Sequence, residues 1–171
     1  MSRSQYSVDL IKQAAECDAN YIRLLKLVPA LQQIREQALA KVTIKPGSVR
    51  QKLFKFCVSE WGVNAENIEV EIRIIEEFKY TTTVELILKP IFKQWMSKPS
   101  LLIRVYHDAS TSEVISYQGH RNFLPRYSLP NAKMYHRDEK MQVNQLLGEC
   151  LSQCLQTGRC ADLPQEMLQA K

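Results

Sequence analysis

The strongest constraint on the fold of this chain is a change of hydrophobic period at residue 67. From there through 74, branched apolar residues alternate with charged ones, which is typical of a strand with one solvated face. Residues 80–88 alternate again and are rich in β-forming residues. Only the short Glu76–Lys79 segment separates them, so the two stretches predict an antiparallel hairpin. One face of this hairpin must be covered.

Further strands are predicted after the hairpin. Leu101, Ile103 and Val105 alternate with polar residues and predict a third strand, and residues 113–117 predict a fourth after the polar turn 107–112. The residues before the hairpin are ambiguous. Segment 49–58 fits a helix or a strand, and we favour a helix slightly, ended near Gly62.

Helical periodicity supplies the covering layer. Residues 8–28 predict an amphipathic helix after an N-cap at Ser7, with Lys12, Gln13, Glu16 and Arg23 facing away from its apolar side. Pro29 either breaks this helix or opens a shorter second one.

A last helix is predicted to begin at Asp138-Glu139 and to end at Gly158 in a left-handed conformation. Its apolar stripe includes Cys150 and Cys154. The fold class is therefore α+β: a single domain with N-terminal amphipathic helices, a four-stranded antiparallel meander, and a C-terminal helix packed on one sheet face.

Composition narrows the class of protein. A chain of 171 residues with 45% apolar and 24% charged residues suits one globular domain with its own core. The N-terminus lacks the apolar run of a signal peptide, and no stretch is long and apolar enough to span a membrane. The five cysteines form no disulfide spacing. We therefore expect a cytoplasmic protein that does not bind membranes.

Three stretches resemble one known family. They read CDANYIRLLKLVP at 17–29, RVYHDASTSEVISYQ at 104–118 and RYSLPNAKMYHRDEKMQVN at 126–144. With YTT at 80–82, they resemble the YqiB-like family of proteobacterial cytosolic proteins, a family of unknown function. The resemblance covers about 6–29 and 67–158, and it implies a fold and a compartment but no reaction.

The chain departs from that family in several places. Leu129 replaces the first residue of a Tyr-Pro-Asn turn, and Cys150 stands where the family tends to carry Trp. Residues 30–65 are interpreted as a basic insertion atypical of the family, and residues 159–171 as a tail that can fray.

Polar residues of these stretches are the candidate binding site of a non-enzymatic adaptor or regulatory protein with a protein partner. They gather at the end of the third strand, in the following loop and at the start of the last helix, where an anion or a peptide terminus could bind. The alternative is that these residues form hydrogen bonds and ion pairs with one another and serve only the structure. The candidates are Arg104, Tyr106, His107, Asp108, Arg126, Asn131, Tyr135, Asp138, Glu139, Lys140, Gln142 and Asn144.

Nucleic-acid binding is the second hypothesis. Residues 41–58 carry five basic residues and no acid, which equals the net charge of +5, and the 89–98 loop combines basic residues with aromatic ones. The alternative is an ordinary solvated face. The residues of this hypothesis are Lys41, Lys45, Arg50, Lys52, Lys55 and Trp95.

Catalysis and metal binding are weaker hypotheses. His107 and Asp108 could act as a general base and its orienting group, but neighbours on a strand point to opposite faces, so no catalytic residue is assigned. Cys150 and Cys154 could supply two metal ligands where a structural zinc site needs four, and both lie on the predicted core stripe. We therefore expect no cofactor and no metal.

Overall fold

A computed structural model describes residues 9–40, 52–59, 67–90, 99–117, 120–121 and 139–160. The first helix, α1 (Leu10–Leu27), begins after Asp9, whose side chain accepts a hydrogen bond of 3.0 Å from the backbone N–H of Lys12. The N-cap is therefore Asp9 and not Ser7, which lies outside the described residues. Pro29 is the first residue of α2 (Pro29–Leu39), where its missing N–H costs no helical hydrogen bond.

The strands form one sheet in which all neighbours are antiparallel. The five long strands are β1 (Leu53–Ser59), β2 (Asn67–Glu77), β3 (Thr81–Pro90), β4 (Ser100–Tyr106) and β5 (Thr111–Tyr117). Two short segments, β6 (His120–Arg121) and β7 (Arg159–Cys160), pair with β5 and β1 respectively. The order across the sheet is β6-β5-β4-β3-β2-β1-β7.

The slight preference for a helix over 49–58 was wrong, because residues 53–59 form β1. The register with β2 places Phe54 beside Ile72, and both are buried in the core. This pairing with a distant strand gives the aromatic residues an apolar surface that no local period reveals. The described meander therefore has a fifth long strand, whereas the predicted β2–β3 hairpin is confirmed.

The last helix, α3 (Glu139–Thr157), lies beside α1 on the same face of the sheet. Gly158 follows it, and its N–H donates to the carbonyl oxygen of Cys154. The φ of Gly158 lies outside the left-handed region, so the predicted left-handed ending was wrong. Arg159 and Cys160 continue directly into β7 on the edge of β1. The start of the predicted tail is thus paired, and residues 161–171 lie outside the described residues.

The core lies between the three helices and one face of the sheet. Its fully buried side chains come from every layer: Tyr21, Leu24, Leu31, Ile34, Ile72, Leu86, Ile103, Leu147 and Leu151. The opposite face, called here the open face, carries none of the described helices. No helix in the described ranges is long and apolar enough to cross a membrane.

Candidate functional site

Strand β4 divides the candidate residues between the two faces of the sheet. Arg104 and Tyr106 are half-buried on the open face, whereas His107 directly after the strand is only 1% exposed beneath the helices. Asp108 is exposed in the following turn. The alternation of a strand therefore separates residues that are adjacent in sequence.

On the open face, the candidates Tyr106 and Lys140 meet through a carboxylate. The Tyr106 hydroxyl donates to Glu113 Oε1 at 2.9 Å, and Lys140 Nζ lies 2.6 Å from Glu113 Oε2. We call Tyr106, Glu113 and Lys140 the Tyr106 cluster. Burial raises the pKa of Tyr106, and its hydrogen bond to Glu113 adds to this effect. Arg104 lies beside Glu113 in the β4–β5 register, so β4, β5 and the start of α3 converge here.

Asn144 is fully buried and joins three elements. Its Oδ1 accepts from the backbone N–H of Val114 at 3.0 Å, and its Nδ2 donates to the Lys140 carbonyl at 2.7 Å. Its own carbonyl accepts from Asn20 Nδ2 at 2.8 Å. We call Asn20 and Asn144 the Asn144 cluster. Because these contacts hold α1, α3 and β5 together, Asn144 serves the fold in this arrangement.

Gly148 permits the close approach of α3 to α1. A Cβ at this position would collide with Glu16 Oε1 and lie 3.0 Å from Arg23 Nη1. Glu16 and Arg23 form an ion pair of 2.7 Å, and each side chain is 27% exposed. Lys12 is exposed as predicted, whereas the same prediction was wrong for Gln13, Glu16 and Arg23. Gln13 is buried, and the other two lie against Gly148 of α3. Their ion pair neutralises charge at the helix contact.

His107 belongs to a second buried polar group. Its Nε2 lies 2.9 Å from Thr82 Oγ1, and its ring meets the Tyr21 ring edge-on with centroids 6.2 Å apart. The Arg35 guanidinium carbon of α2 lies 6.0 Å from the Tyr21 ring centroid. We call Tyr21, Arg35 and His107 the Tyr21 cluster.

Burial controls the protonation of this cluster. It lowers the pKa of His107 to about 4, and the charge of Arg35 acts in the same direction while Asp108 opposes it. The imidazole is therefore neutral at pH 7. Burial also raises the pKa of Tyr21, against the effects of Arg35 and Ser110. The hydrogen bond described for the imidazole joins His107 Nε2 to Thr82. Asp108 therefore makes no described contact that would orient the ring.

The described basic residues in and just before β1 are paired with acids. Lys55 Nζ lies 3.7 Å from Glu71 Oε1, and Lys52 Nζ lies 3.4 Å from Glu77 Oε1. Lys89 also pairs with Glu71 and lowers the pKa of that carboxyl by hydrogen bonding. Glu71 is only 3% exposed, so its assignment to a wet strand face was wrong. These pairs reduce the charge available to a polyanion.

The cysteines of α3 differ in burial. Cys154 is 3% exposed and belongs to the core, and Cys150 is half-buried. Burial raises the pKa of the Cys150 thiol to about 11 and that of Cys154 to about 12, so both are protonated at pH 7. Among the described residues, no three potential metal-binding side chains of His, Cys, Asp or Glu gather in one place.

Several candidate binding residues lie outside the clusters described above or outside the described residues. Glu139 is half-buried in the first turn of α3, and Gln142 is exposed one turn later. The remaining candidates lie outside the described residues: Arg126, Asn131, Tyr135 and Asp138 of the binding hypothesis, and Lys41, Lys45, Arg50 and Trp95 of the nucleic-acid hypothesis.

Sequence reasoning missed Tyr21, Arg35 and Asn20 as polar partners. Tyr21 lies on the apolar stripe of α1, and a hydroxyl on such a stripe signals a buried polar group. Asn20 beside it is a similar signal, because a buried amide needs partners. No sequence pattern marks Arg35, since its position depends on how α2 packs against α1.

The fold defines a class of small α+β proteins in which helices cover one face of an antiparallel sheet. The model of a family described as "Protein of unknown function (DUF1249)" matches residues 23–160, and the chain belongs to this family. It is 34% identical over 158 residues to the "Uncharacterized protein YqiB" of Escherichia coli K12, covering 92% of this chain and 96% of that protein. The YqiB protein of Escherichia coli O157:H7 matches to the same extent. No solved structure matches.

These relatives confirm the resemblance to YqiB-like proteins seen in the sequence. The matched range includes residues 30–65, within which β1 and most of α2 lie. The single-domain organisation and the basic insertion stay predictions. The names of the family and of these relatives state no activity.

Proposed function

We propose that this protein is a non-enzymatic cytoplasmic adaptor that binds a protein partner through its open face, centred on Arg104 and the Tyr106 cluster. The observation that carries the proposal is the convergence of β4, β5 and the start of α3 at Glu113. This convergence fixes the side chains of three elements in one place, and a preorganised surface loses less entropy on binding.

The charge pattern of the open face favours a protein over a nucleic acid. Basic and acidic side chains alternate across it, and Arg73 lies 3.8 Å from Glu71 and 4.0 Å from Glu85. Such a mixed surface creates no strong positive field for a phosphate backbone. It suits a partner surface that also carries both signs.

Apolar side chains lie among these charges. Ile87 and Leu102 are half-buried on the open face, and Ile75 at the β-bulge of β2 is 45% exposed. Partly exposed aliphatic groups surrounded by polar ones are the composition of many transient protein interfaces. The proposed partner is therefore a protein with a small apolar centre and a mixed charged rim.

The test is site-specific photo-crosslinking in cells. A p-benzoylphenylalanine residue replaces Glu85, which lies on the open face with its side chain 29% exposed. The control carries the same residue at Lys12, which is exposed on α1. We expect a protein adduct from position 85 that survives nuclease and is absent from position 12. Arg104→Glu in the position-85 background should abolish it while circular dichroism stays unchanged.

Three results would contradict the proposal. These are no adduct at position 85, an adduct that nuclease removes, or an adduct that a folded Arg104→Glu variant retains. Nuclease sensitivity would instead favour the basic segment 41–58 as the functional surface.

A further inference from the structure

The turn of the β2–β3 hairpin carries two exposed aromatic side chains, Phe78 at 57% exposure and Tyr80 at 43%. The Lys79 ammonium between them in sequence lies 5.0 Å from the centroid of the Tyr80 ring. The backbone N–H of Phe78 donates to the carbonyl of Thr81 at 2.8 Å, which holds the turn in one conformation. We call residues 78–80 the hairpin tip. Large aromatic side chains on a fixed turn are typical of residues that anchor a protein interface.

A groove of about 310 Å³ lies between α1 and α2. Leu25 and the exposed Leu39 form its apolar walls, and Gln32, Arg35 and Glu36 form its polar ones. An apolar cavity of about 150 Å³ holds a benzene molecule, so this groove has room for an aromatic side chain. Within the described ranges, neither charged residue of the groove forms an ion pair, so both charges are available to a partner.

The hairpin tip and the groove lie at the same end of the molecule. The backbone N–H of His107 donates to the carbonyl of Tyr80 at 2.8 Å, and the His107 ring meets the ring of Tyr21. The guanidinium carbon of Arg35, in the groove wall, lies 6.0 Å from the centroid of that Tyr21 ring. Two complementary patches side by side allow two copies to pair about a twofold axis, so that each copy inserts its tip and receives the other's.

The charges of the two patches complement each other. The tip carries the exposed Lys79 and is preceded by the exposed Glu76, and the groove carries one cation and one carboxylate. In a symmetric pair of copies, Lys79 can face Glu36, and Glu76 can face Arg35. A nucleic acid or an anionic membrane would instead meet Glu76 and the exposed Asp108 of the adjacent turn, which repel it. The charge pattern therefore favours a second copy of this chain as the partner.

We propose that two copies of this chain form a symmetric dimer in which the hairpin tip of each copy inserts into the α1–α2 groove of the other. Phe78 of one copy fills the space between Leu25 and Leu39 of the other copy, and Lys79 pairs with Glu36 across the interface. The contact uses no residue of the Tyr106 cluster, so it is independent of the proposed open-face interaction. Because the interface is small, we expect weak association with a dissociation constant in the micromolar range.

The test is sedimentation velocity of the purified full chain at increasing protein concentration. We expect the sedimentation coefficient to rise from that of a monomer to that of a dimer. Phe78→Ala removes the anchor from both contacts and should raise the dissociation constant at least about tenfold. The matched control Ile11→Ala removes an exposed side chain of α1 that lies about 21 Å from Leu25 along the helix, and it should leave the dissociation constant unchanged.

Charge reversal identifies the surfaces that meet. Lys79→Glu and Glu36→Lys each place like charges in both contacts of the dimer, and each should raise the dissociation constant about tenfold. The double variant restores opposite charges and should return to within about twofold of wild type, which a merely destabilised fold would not do. Circular dichroism verifies the folding of each variant.

Three results would overturn the proposal. These are a chain that stays monomeric at every concentration, a dimer that folded Phe78→Ala leaves intact, and a double charge-reversal variant that associates no better than the single variants. A monomeric chain would leave the hairpin tip to a different protein.

Discussion

Two buried polar clusters lie beneath the same helices but differ in how fully their hydrogen bonds are made. In the Asn144 cluster, the side-chain amide of Asn144 uses both ends, and Asn20 bonds its carbonyl. In the Tyr21 cluster, Thr82 contacts the imidazole, Ser110 lies close enough to the Tyr21 hydroxyl to lower its pKa, and Arg35 Nε and His107 Nδ1 make no hydrogen bond within the described residues. The first arrangement stabilises the fold, whereas the second gives up stability because buried polar atoms stay unpaired.

The largest expected effect is the loss of the Asn144 amide. Asn144→Ala leaves the N–H of Val114 and the carbonyl of Lys140 without their side-chain partner, and we expect the free energy of unfolding to fall by about 3 kcal/mol. Urea denaturation followed by circular dichroism measures this change. The matched control Gln156→Ala removes an exposed amide from α3 and should change stability by less than about 0.5 kcal/mol. Equal losses of stability in the two variants would contradict a structural role of the Asn144 cluster.

An intermediate effect on the free energy of unfolding is expected from the protonation of His107. Its folded pKa of about 4 lies below the ordinary value of 6.5, so the unfolded chain binds the proton more readily. The corresponding stability is fully present above pH 6.5 and is lost as the pH falls through 4. Between pH 7 and pH 5 the loss should be about 2 kcal/mol.

Urea denaturation at both pH values checks this prediction. The His107→Gln variant serves as the reference, because its amide does not titrate. All other groups titrate in both proteins, so their contribution to the pH dependence cancels in the difference. The difference between wild type and variant should shrink as the pH falls. A pH-independent difference would show that the imidazole is not buried in its neutral form.

The smallest effect is expected from the Tyr21 hydroxyl. Tyr21→Phe removes a buried hydroxyl whose one described neighbour, Ser110, makes at most a weak hydrogen bond to it, and keeps the ring against His107. We expect stability to stay within about 1 kcal/mol of wild type, or to rise, because the desolvation cost of the hydroxyl disappears. Thermal unfolding measures this change in stability. A loss comparable to that of Asn144→Ala would erase the contrast between the clusters.

Much of the fold could be read from local pattern. The alternation over 67–88 predicted the β2–β3 hairpin, Pro29 was recognised as a possible helix start, and the stripe of α3 placed Cys154 in the core. Segment 53–59 could not be assigned in this way, because its strand is defined by pairing with β2 and β7. The candidate site was predictable only as a set of polar residues. Arg104 and His107 belong to the same sequence stretch, but they lie on opposite faces of the sheet.

The sequence by itself determined the family, the α+β class and the apolar surfaces of helices and strands, because these depend on residue order and short-range periodicity. Only the tertiary structure decided which polar groups are satisfied. Glu71 was expected to face solvent and is buried among Lys55, Arg73 and Lys89. Tyr21 meets His107 across 86 residues because α1 packs on β5, the strand that pairs with β4. Hydrogen bonds and ion pairs depend on such distant contacts, which periodicity does not encode.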